Sequence, residues 1–379
     1  MSIWERPIVS IGAYYEYLDL SVVLEKIDTD LLLEEALAVW TALRYICKEA
    51  LVNLGCDFSM NTKEEMDLIP RLFKKEELIA YIQKLTGIKN HKVRATLESF
   101  EVDWNRFNDI WTSPLMLNNA CYSVPFFPIV DYVPFNVIDS LLERGGYNLD
   151  DRGEVFETFL YQRIVNEKHL FHTACYPSKF YGTSGNGEEI DLIVVLKELI
   201  IVCEAKCIHY SMEPIDYYYA QKRLENGAEQ AKRKASFVET HPGFFADLGD
   251  VSTRKVLPLV VTNYPTFTGF EHNGVYVIDS HSFISYFNAG YMSMNELSST
   301  ENTLRGVCFF YKNEDQYSTN FESFVQSNPI KDLYLKQIVV DNISLLPQIA
   351  PWKCYAKSAI YKGYTSINIT NGPVESTTN

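Results

Sequence analysis

Residues 189–206 read EIDLIVVLKELIIVCEAK, and this stretch organises the middle of the chain. Two apolar runs, 192–196 and 199–203, are separated by Lys197-Glu198 and carry charged residues only at their outer ends. Short apolar runs bounded by polar residues are typical of buried strands, and a two-residue polar connector is typical of a hairpin turn. We therefore expect a buried β-hairpin.

The pairing within this hairpin determines which charged side chains meet at its open end. With the turn at Lys197-Glu198, Asp191 lies opposite Glu204. By the same count, Glu189 lies opposite Lys206. Directly paired residues share a face of the sheet, so the four charged side chains should converge. Lys-Glu is not a favoured pair for a two-residue turn, and a slip of one residue would place Asp191 diagonally from Glu204.

The charges at the open end of the hairpin predict a metal site. Ionised groups beside a hydrophobic hairpin are costly unless they are paired or bound to a metal. Asp191 and Glu204 offer hard carboxylate oxygens, which suit Mg²⁺ or Mn²⁺, and Lys206 adds an auxiliary cation. On this view Asp191→Asn weakens metal binding and slightly stabilises the metal-free protein, because repulsion between the carboxylates is relieved. The alternative is an ordinary solvated strand end.

The same residues carry a family resemblance. Asp191, the apolar hairpin and Glu204-Ala205-Lys206 resemble the signature of the PD-(D/E)XK nuclease superfamily, although Ile190 stands where that family often has proline. Upstream, residues 153–157 read GEVFE and resemble the Gly-x-x-Phe-Glu helix of the family. The resemblance implies that Glu157 is a further catalytic carboxylate and metal ligand, with Glu154 as the alternative.

The resemblance extends over about residues 150–290. Downstream of the hairpin, the sequence predicts a helix around 228–233, a strand at 256–261 and, after an Asn273-Gly274 turn, a strand at 275–279. A helix is expected from Ser280 to near residue 290. The resulting order of helix, strand, strand, helix, strand, strand, helix is the core order of the superfamily. It implies an α/β, restriction-endonuclease-like mixed sheet flanked by helices.

The resemblance also implies an activity, namely metal-dependent cleavage of nucleic acid. Asp191 and Glu204 would hold Mg²⁺ or Mn²⁺, and Lys206 would orient or deprotonate the attacking water or stabilise the transition state. Gln230 would support the site from the following helix, and Glu189 would be an outer group. The expected substrate is DNA, cut endonucleolytically in restriction, repair or defence, with RNA as an alternative. A catalytically silent module that binds nucleic acid or a protein partner is the competing interpretation.

Charge restricts how such a protein could meet nucleic acid. The net charge is −15, which argues against DNA binding by the whole surface, because phosphate contacts need lysine and arginine. A local basic group lies near the candidate site, and its predicted role is to follow the phosphate backbone: Lys222, Arg223, Lys232, Arg233 and Lys234. The alternative is a solvated helix face. The acidic remainder of the surface would either repel DNA elsewhere or face a protein partner.

The rest of the chain suggests three regions, namely a mainly helical domain at 1–146, the nuclease-like domain at 147–290 and a C-terminal extension of unknown role at 291–379. The first boundary is expected near Gly145-Gly146. Within the helical domain, residues 75–100 resemble a helix-turn-helix, whose second helix is mildly basic through Lys89, Lys92 and Arg94. A simple helical hairpin is the alternative.

Localisation follows from what the sequence lacks. No run of about 18 apolar residues predicts a transmembrane helix, and no secretory signal is visible at the N-terminus. The eight cysteines are scattered without Cys-x-x-Cys pairs, as expected for reduced thiols in a cytoplasmic protein. Neither membrane binding nor zinc is expected, and a homodimer is left open.

Overall fold

A computed structural model gives the fold, and it describes residues 17–18, 20–53, 71–102, 112–130, 134–166, 169, 171–183, 185–211, 214–297, 302–327, 338–344 and 355–361. These residues form two compact units. One takes its described residues from 7–155 and 209–212, and the other from 156–208 and 213–379. The division between Val155 and Phe156 differs from the boundary expected near Gly145-Gly146. The described residues after residue 290 belong to the second unit.

The first unit combines helices with a small sheet. Its elements are α1 (Leu33–Asn53), β1 (Arg71–Lys74), α2 (Lys75–Thr86), α3 (Asn90–Ser99), β2 (Met116–Asn118), β3 (Cys121–Val124), α4 (Phe126–Val130), α5 (Pro134–Gly145) and the start of α6 (Leu149–Val165). The strands pair antiparallel in the order β1-β3-β2. This sheet was not expected in a mainly helical region.

The helix pair predicted at 75–100 is present as α2 and α3. Gly87 ends α2 in the left-handed conformation (φ 75°), which glycine adopts without steric cost. The cations of α3 are engaged within the unit, because Lys92 is buried against Glu35 and Arg94 pairs with Glu76. The arrangement therefore favours a simple helical hairpin over a helix-turn-helix with a basic DNA-recognition helix.

The second unit is α/β. After α6 it contains β4 (Ala174–Tyr176), β5 (Lys179–Thr183), β6 (Asn186–Ile190), β7 (Leu192–Val195), β8 (Leu199–Lys206), α7 (Pro214–Thr240), β9 (Lys255–Thr262), β10 (Glu271–His272), β11 (Val275–Asp279), α8 (Ser280–Asn288), β12 (Tyr291–Leu297), β13 (Asn302–Phe309), α9 (Glu314–Gln326), β14 (Ile338–Ser344) and β15 (Tyr355–Tyr361). Six strands form one sheet in the order β10-β11-β9-β8-β7-β4, and β5 pairs with β6 separately.

The central strands of the six-stranded sheet are mixed in direction. β8, β9 and β11 run parallel, whereas β7 is antiparallel to β8. Parallel neighbours need a crossover connection, and α7 provides it between β8 and β9. All four residues of β7 are buried, as expected for a strand covered on both faces. Among the described helices, none is long and apolar enough to cross a membrane.

The predicted hairpin register is confirmed. Leu192 pairs with Cys203 and Val195 with Ile200, and the Leu196 amide donates to the Leu199 carbonyl at 2.8 Å. The one-residue slip is thereby excluded. Apolar side chains fill every paired position of the β7–β8 ladder, so the register depends on the turn and on the neighbouring strands rather than on face alternation.

The predicted downstream elements are also present as β9, β11 and α8. Asn273 and Gly274 have positive φ values of 52° and 82° and form the turn between β10 and β11. The cap of α8 differs from the prediction by one residue. Asp279, rather than Ser280, accepts a hydrogen bond from the Ser282 amide at 2.9 Å.

Candidate carboxylate and lysine site

Two buried carboxylates meet at the open end of the β7–β8 hairpin. Asp191 directly precedes β7 and Glu204 lies within β8, and they are only 6% and 2% exposed. Continuing the ladder by one position beyond Leu192 and Cys203 places them opposite each other. The Ala205 amide donates to Asp191 Oδ2 at 2.9 Å, which fixes the orientation of that side chain.

A single lysine from α7 joins the two carboxylates. Lys234 Nζ donates to Asp191 Oδ1 at 2.7 Å and also to Glu204 Oε2. Lys234 is only 6% exposed. Burial opposes the charge on its ammonium group, but Asp191 and Glu204 outweigh burial and raise the pKa of Lys234. The ammonium group therefore stays charged at the point where the two carboxylates converge.

A second lysine lies at the outer side of the pair. Lys206 Nζ is 2.5 Å from Glu204 Oε1, and the Lys206 side chain is partly exposed. The stem of Lys206 passes under α7 at Gly227. A Cβ at Gly227 would lie 3.0 Å from Lys206 Cγ and 3.3 Å from Cε, closer than most real contacts. Glycine at this position therefore leaves room for Lys206 between helix and sheet.

Glu157 on α6 is within electrostatic reach of the same site. Burial raises the pKa of Glu157 to about 7, and the negative charge of Asp191 adds to the increase. Ser178 and Lys234 act in the opposite direction. Glu154, the alternative carboxylate, is exposed. Of the two predicted glutamates, Glu157 is therefore the one that interacts electrostatically with Asp191 and Glu204.

Two predicted supporting residues have different positions. Gln230 lies on α7, one turn before Lys234, and its Oε1 is buried without a hydrogen-bond partner among the described residues. Glu189 is exposed and pairs with Phe180 in the β5–β6 hairpin. Its expected position opposite Lys206 is not observed, because the β7–β8 ladder stops at Leu192 and the chain continues into a different sheet.

The basic group on α7 divides into a surface part and a buried part. Lys222 pairs with Glu225 at 2.7 Å, Arg233 pairs with Glu188 at 2.6 Å, and Lys232 donates to a backbone carbonyl. These three side chains are exposed, whereas Arg223 is partly buried. Lys234 was predicted to contact phosphate with them, and this prediction is wrong for the conformation described, because Lys234 is buried against two carboxylates.

The helical period explains how the role of Lys234 was missed. Buried residues of α7 recur at the spacing of one helical face and include Ala220, Leu224, Gly227, Ala231, Lys234 and Val238. Seven residues separate Gly227 from Lys234, which is about two turns, so both lie on the same side of the helix. The sequence did indicate a buried lysine, because Lys234 falls on a helix face of small apolar residues. Its position at the end of the cationic run 232–234 favoured a surface role instead.

The oxygens around Lys234 have the chemistry of a divalent-cation site. Asp191 Oδ1 and Glu204 Oε2 both bond to the same Nζ, so that the ammonium stands in for a cation at their shared point. Oxygen donors of this kind fit Mg²⁺ or Mn²⁺. The donors are thus suitable for the expected metal, provided that Lys234 leaves.

A second cluster with metal-ligand side chains lies in the first unit. Asp28, Asp30 and His91 bring their ligand atoms within 4.8 Å of one another. Asp30 is already 3.2 Å from His91 Nε2 and 3.5 Å from Lys92 Nζ. Asp30 and His91 are exposed, and exposed acidic groups commonly occur without a bound ion, so this cluster is a weaker candidate for a metal than the buried hairpin site.

Comparison with known proteins adds little to this geometry. No protein-family model and no curated protein matches the chain. One similar solved structure is the protein VC1899 from Vibrio cholerae, with 12% identity, a TM-score of 0.20, and coverage of 75% of this chain and 55% of that chain. The chain thus spans about half the length of that protein, and a similarity this low supports no conclusion about the fold.

Proposed function

We propose that this protein is a metal-dependent nuclease with a restriction-endonuclease-like core. The observation that carries the proposal is the convergence of Asp191 and Glu204 on one cation, with Lys206 bonded to the outer oxygen of Glu204. The order α6, β7, β8, α7, β9, β11, α8 agrees with the order expected from the family resemblance. DNA is the proposed substrate, cut internally in restriction, repair or defence, and RNA is the alternative.

Each residue of the site has a role in phosphodiester hydrolysis. Asp191 and Glu204 would hold Mg²⁺ or Mn²⁺, which lowers the pKa of a bound water and neutralises charge developing at phosphorus. Lys206, the partly exposed lysine, would position or deprotonate the attacking water, or stabilise the charged transition state. Glu157 would become a further oxygen ligand when it is ionised, which its pKa of about 7 permits near neutral pH.

The exposed cations of α7 are the proposed contacts to the phosphate backbone. Lys222, Lys232 and Arg233 lie on the helix that also carries Lys234, with Arg223 beside them. Their acidic partners, Glu225 and Glu188, must be exchanged for phosphate. The cations of these pairs are exposed and their carboxylates partly exposed, and surface ion pairs contribute only about 0–1 kcal/mol, so the exchange costs little free energy. Cys47, Cys121, Cys175 and Cys203 form no disulfide, which suits action in the cytoplasm.

One observation favours a second candidate function. Lys234 fills the point between the carboxylates, as expected of a nuclease fold that has lost catalysis and binds nucleic acid or a protein partner instead. In that case the buried ammonium would be a permanent structural replacement for the metal. The two candidates differ in whether a divalent cation can take the place of Lys234.

A cleavage assay separates the two candidates. Supercoiled, linear and single-stranded DNA, and RNA, are incubated with the protein in Mg²⁺, Mn²⁺ or EDTA. The controls are Glu204→Ala/Lys206→Ala and Lys206→Met, the latter chosen because it leaves the buried carboxylates and Lys234 intact. Metal-dependent cutting that both controls lose supports the nuclease and identifies its substrate. Absence of cutting by the folded protein with every substrate and metal would favour the silent module.

A further inference from the structure

We infer that Lys234 is a tethered cation in the divalent-metal position, and that metal binding moves its ammonium group from Asp191 and Glu204 to Gln230. This inference rests on the proposed function, because it concerns the same site. It assigns two positions to one side chain. In the metal-free position Lys234 holds the carboxylates together, and in the metal-bound position it bonds to Gln230.

The hydrogen bonds around the carboxylates show why a metal and Lys234 compete. Asp191 Oδ2 is occupied by the Ala205 amide, and Glu204 Oε1 by Lys206. The remaining oxygens, Asp191 Oδ1 and Glu204 Oε2, both bond to Lys234 Nζ. A divalent cation held by Asp191 and Glu204 would draw on these same oxygens. It would therefore compete with the ammonium group of Lys234 for them.

Charge balance gives the same result. In the metal-free site, the ammonium groups of Lys206 and Lys234 balance the carboxylates of Asp191 and Glu204. A divalent cation added to this neutral cluster would repel an ammonium group a few ångströms away in a poorly solvated place. The metal consequently binds weakly while Lys234 stays, and Lys234 leaves when the metal binds.

Gln230 offers the acceptor for the displaced ammonium group. It precedes Lys234 by four residues on α7, and side chains at this spacing are neighbours on a helix surface. Its Oε1 is buried and has no hydrogen-bond partner among the residues that the structure describes. A buried acceptor without a donor is unfavourable, so its presence is accounted for by a donor that arrives in a second state.

The test measures metal binding rather than catalysis. Binding of Mn²⁺ and of Mg²⁺ is followed by calorimetry without nucleic acid, and thermal unfolding is measured in EDTA and in saturating metal. Lys234→Met removes the ammonium group and keeps the apolar stem. Gln230→Leu removes the second position of Lys234 but keeps the volume. Lys255→Met, at an exposed lysine of β9 that pairs with Glu322 outside the site, is the control.

The two variants have opposite expected effects. Lys234→Met should bind Mn²⁺ at least tenfold more tightly than wild type, and its lowered Tm in EDTA should be restored by metal. Gln230→Leu should keep or raise the Tm in EDTA and bind Mn²⁺ at least fivefold more weakly. Lys255→Met should match wild type. Because Gln230→Leu retains every ion pair of the site, it tests the movement of Lys234 even if Lys234→Met does not fold.

Two results would overturn the inference. One is unchanged Mn²⁺ affinity in Gln230→Leu, and the other is a folded Lys234→Met variant that binds the metal no more tightly than wild type. Failure of the proposed function looks different. If the variants show the expected changes in Mn²⁺ affinity but wild type cleaves no substrate, the movement of Lys234 is supported and the nuclease function is rejected. If wild type cleaves but the variants bind Mn²⁺ as wild type does, the nuclease function is supported and the movement of Lys234 is rejected.

Discussion

Asp191 lies opposite Glu204 across the β7–β8 hairpin, and their facing oxygens share the ammonium group of Lys234. Removing one partner from a buried ion pair leaves an uncompensated charge, which costs about 3–5 kcal/mol. The stability of the metal-free protein therefore depends on keeping this cluster neutral. The predictions below use that dependence to separate structural roles from catalytic ones.

Asp191→Asn should destabilise the metal-free protein by roughly 3 kcal/mol. This reverses the expectation from sequence, in which relieved repulsion gives slight stabilisation, because Lys234 has turned a repulsive pair into a bridged one. The measurement is urea unfolding in EDTA. Glu189→Gln, at an exposed position of β6, is the control and should change stability by less than about 0.5 kcal/mol. An unchanged unfolding midpoint for Asp191→Asn would mean that the bridge contributes nothing.

Lys206→Met should reduce the cleavage rate at saturating Mg²⁺ by about 10²-fold or more, the usual effect of removing a charge-stabilising or proton-transferring group. Its stability in EDTA should fall by less than the roughly 3 kcal/mol expected for Asp191→Asn, since Lys206 is partly exposed and Glu204 keeps Lys234. Lys255→Met serves as the comparison, because Lys255 is an exposed lysine paired with Glu322. Equal rates for both variants would remove Lys206 from the mechanism.

Gly227→Ala should impair cleavage without a comparable loss of stability. The new Cβ would press on Lys206 Cγ at 3.0 Å and displace that side chain. The helix gains up to about 1 kcal/mol from replacing glycine by alanine, which offsets part of the strain. Gly153→Ala on α6 is the matched control, since no atom lies within 4 Å of its Cβ. It should gain stability and keep activity, and full activity in Gly227→Ala would contradict the proposed role of this contact.

Glu157→Gln should stabilise the metal-free protein more at pH 8 than at pH 4. The pKa of Glu157 is raised from 4.5 to about 7 in the folded state, so folding favours the protonated carboxyl. Wild-type stability from this group is therefore present below about pH 4.5 and is lost as the pH rises through 7. A pKa shift of this size sets an upper limit of roughly 3 kcal/mol on the increase in the free energy of unfolding at pH 8. Because the side chain is partly exposed, the measured increase should be below this limit.

The pH prediction is tested by guanidinium unfolding of both proteins between pH 4 and pH 8 in EDTA. Gln162→Ala, at an exposed and non-titratable position of the same helix, is the control and should differ from wild type by a constant amount across this range. A difference between Glu157→Gln and wild type that does not change with pH would show that Glu157 ionises as it does in the unfolded chain.

Much of the second unit could be predicted from local patterns. The apolar runs at 192–196 and 199–203, the Lys197-Glu198 connector and the Asn273-Gly274 turn are short-range signals. Each depends on residues adjacent in sequence, and the structure has β7, β8 and the β10–β11 turn at these places. Asp191 and Glu204 could be paired by counting outward from the turn, because side-chain position in a hairpin follows a strict period of two.

The composition of the charged cluster was decided by tertiary structure. Lys234 reaches Asp191 only because α7 crosses over between β8 and β9. Glu189 lies outside the cluster because it belongs to the β5–β6 hairpin. A run of cations in the sequence looks the same whether its members face solvent or carboxylates. Sequence by itself therefore determined the hairpin and its two acids, since these follow from local pairing. Packing of a distant helix determined which cation lies between them.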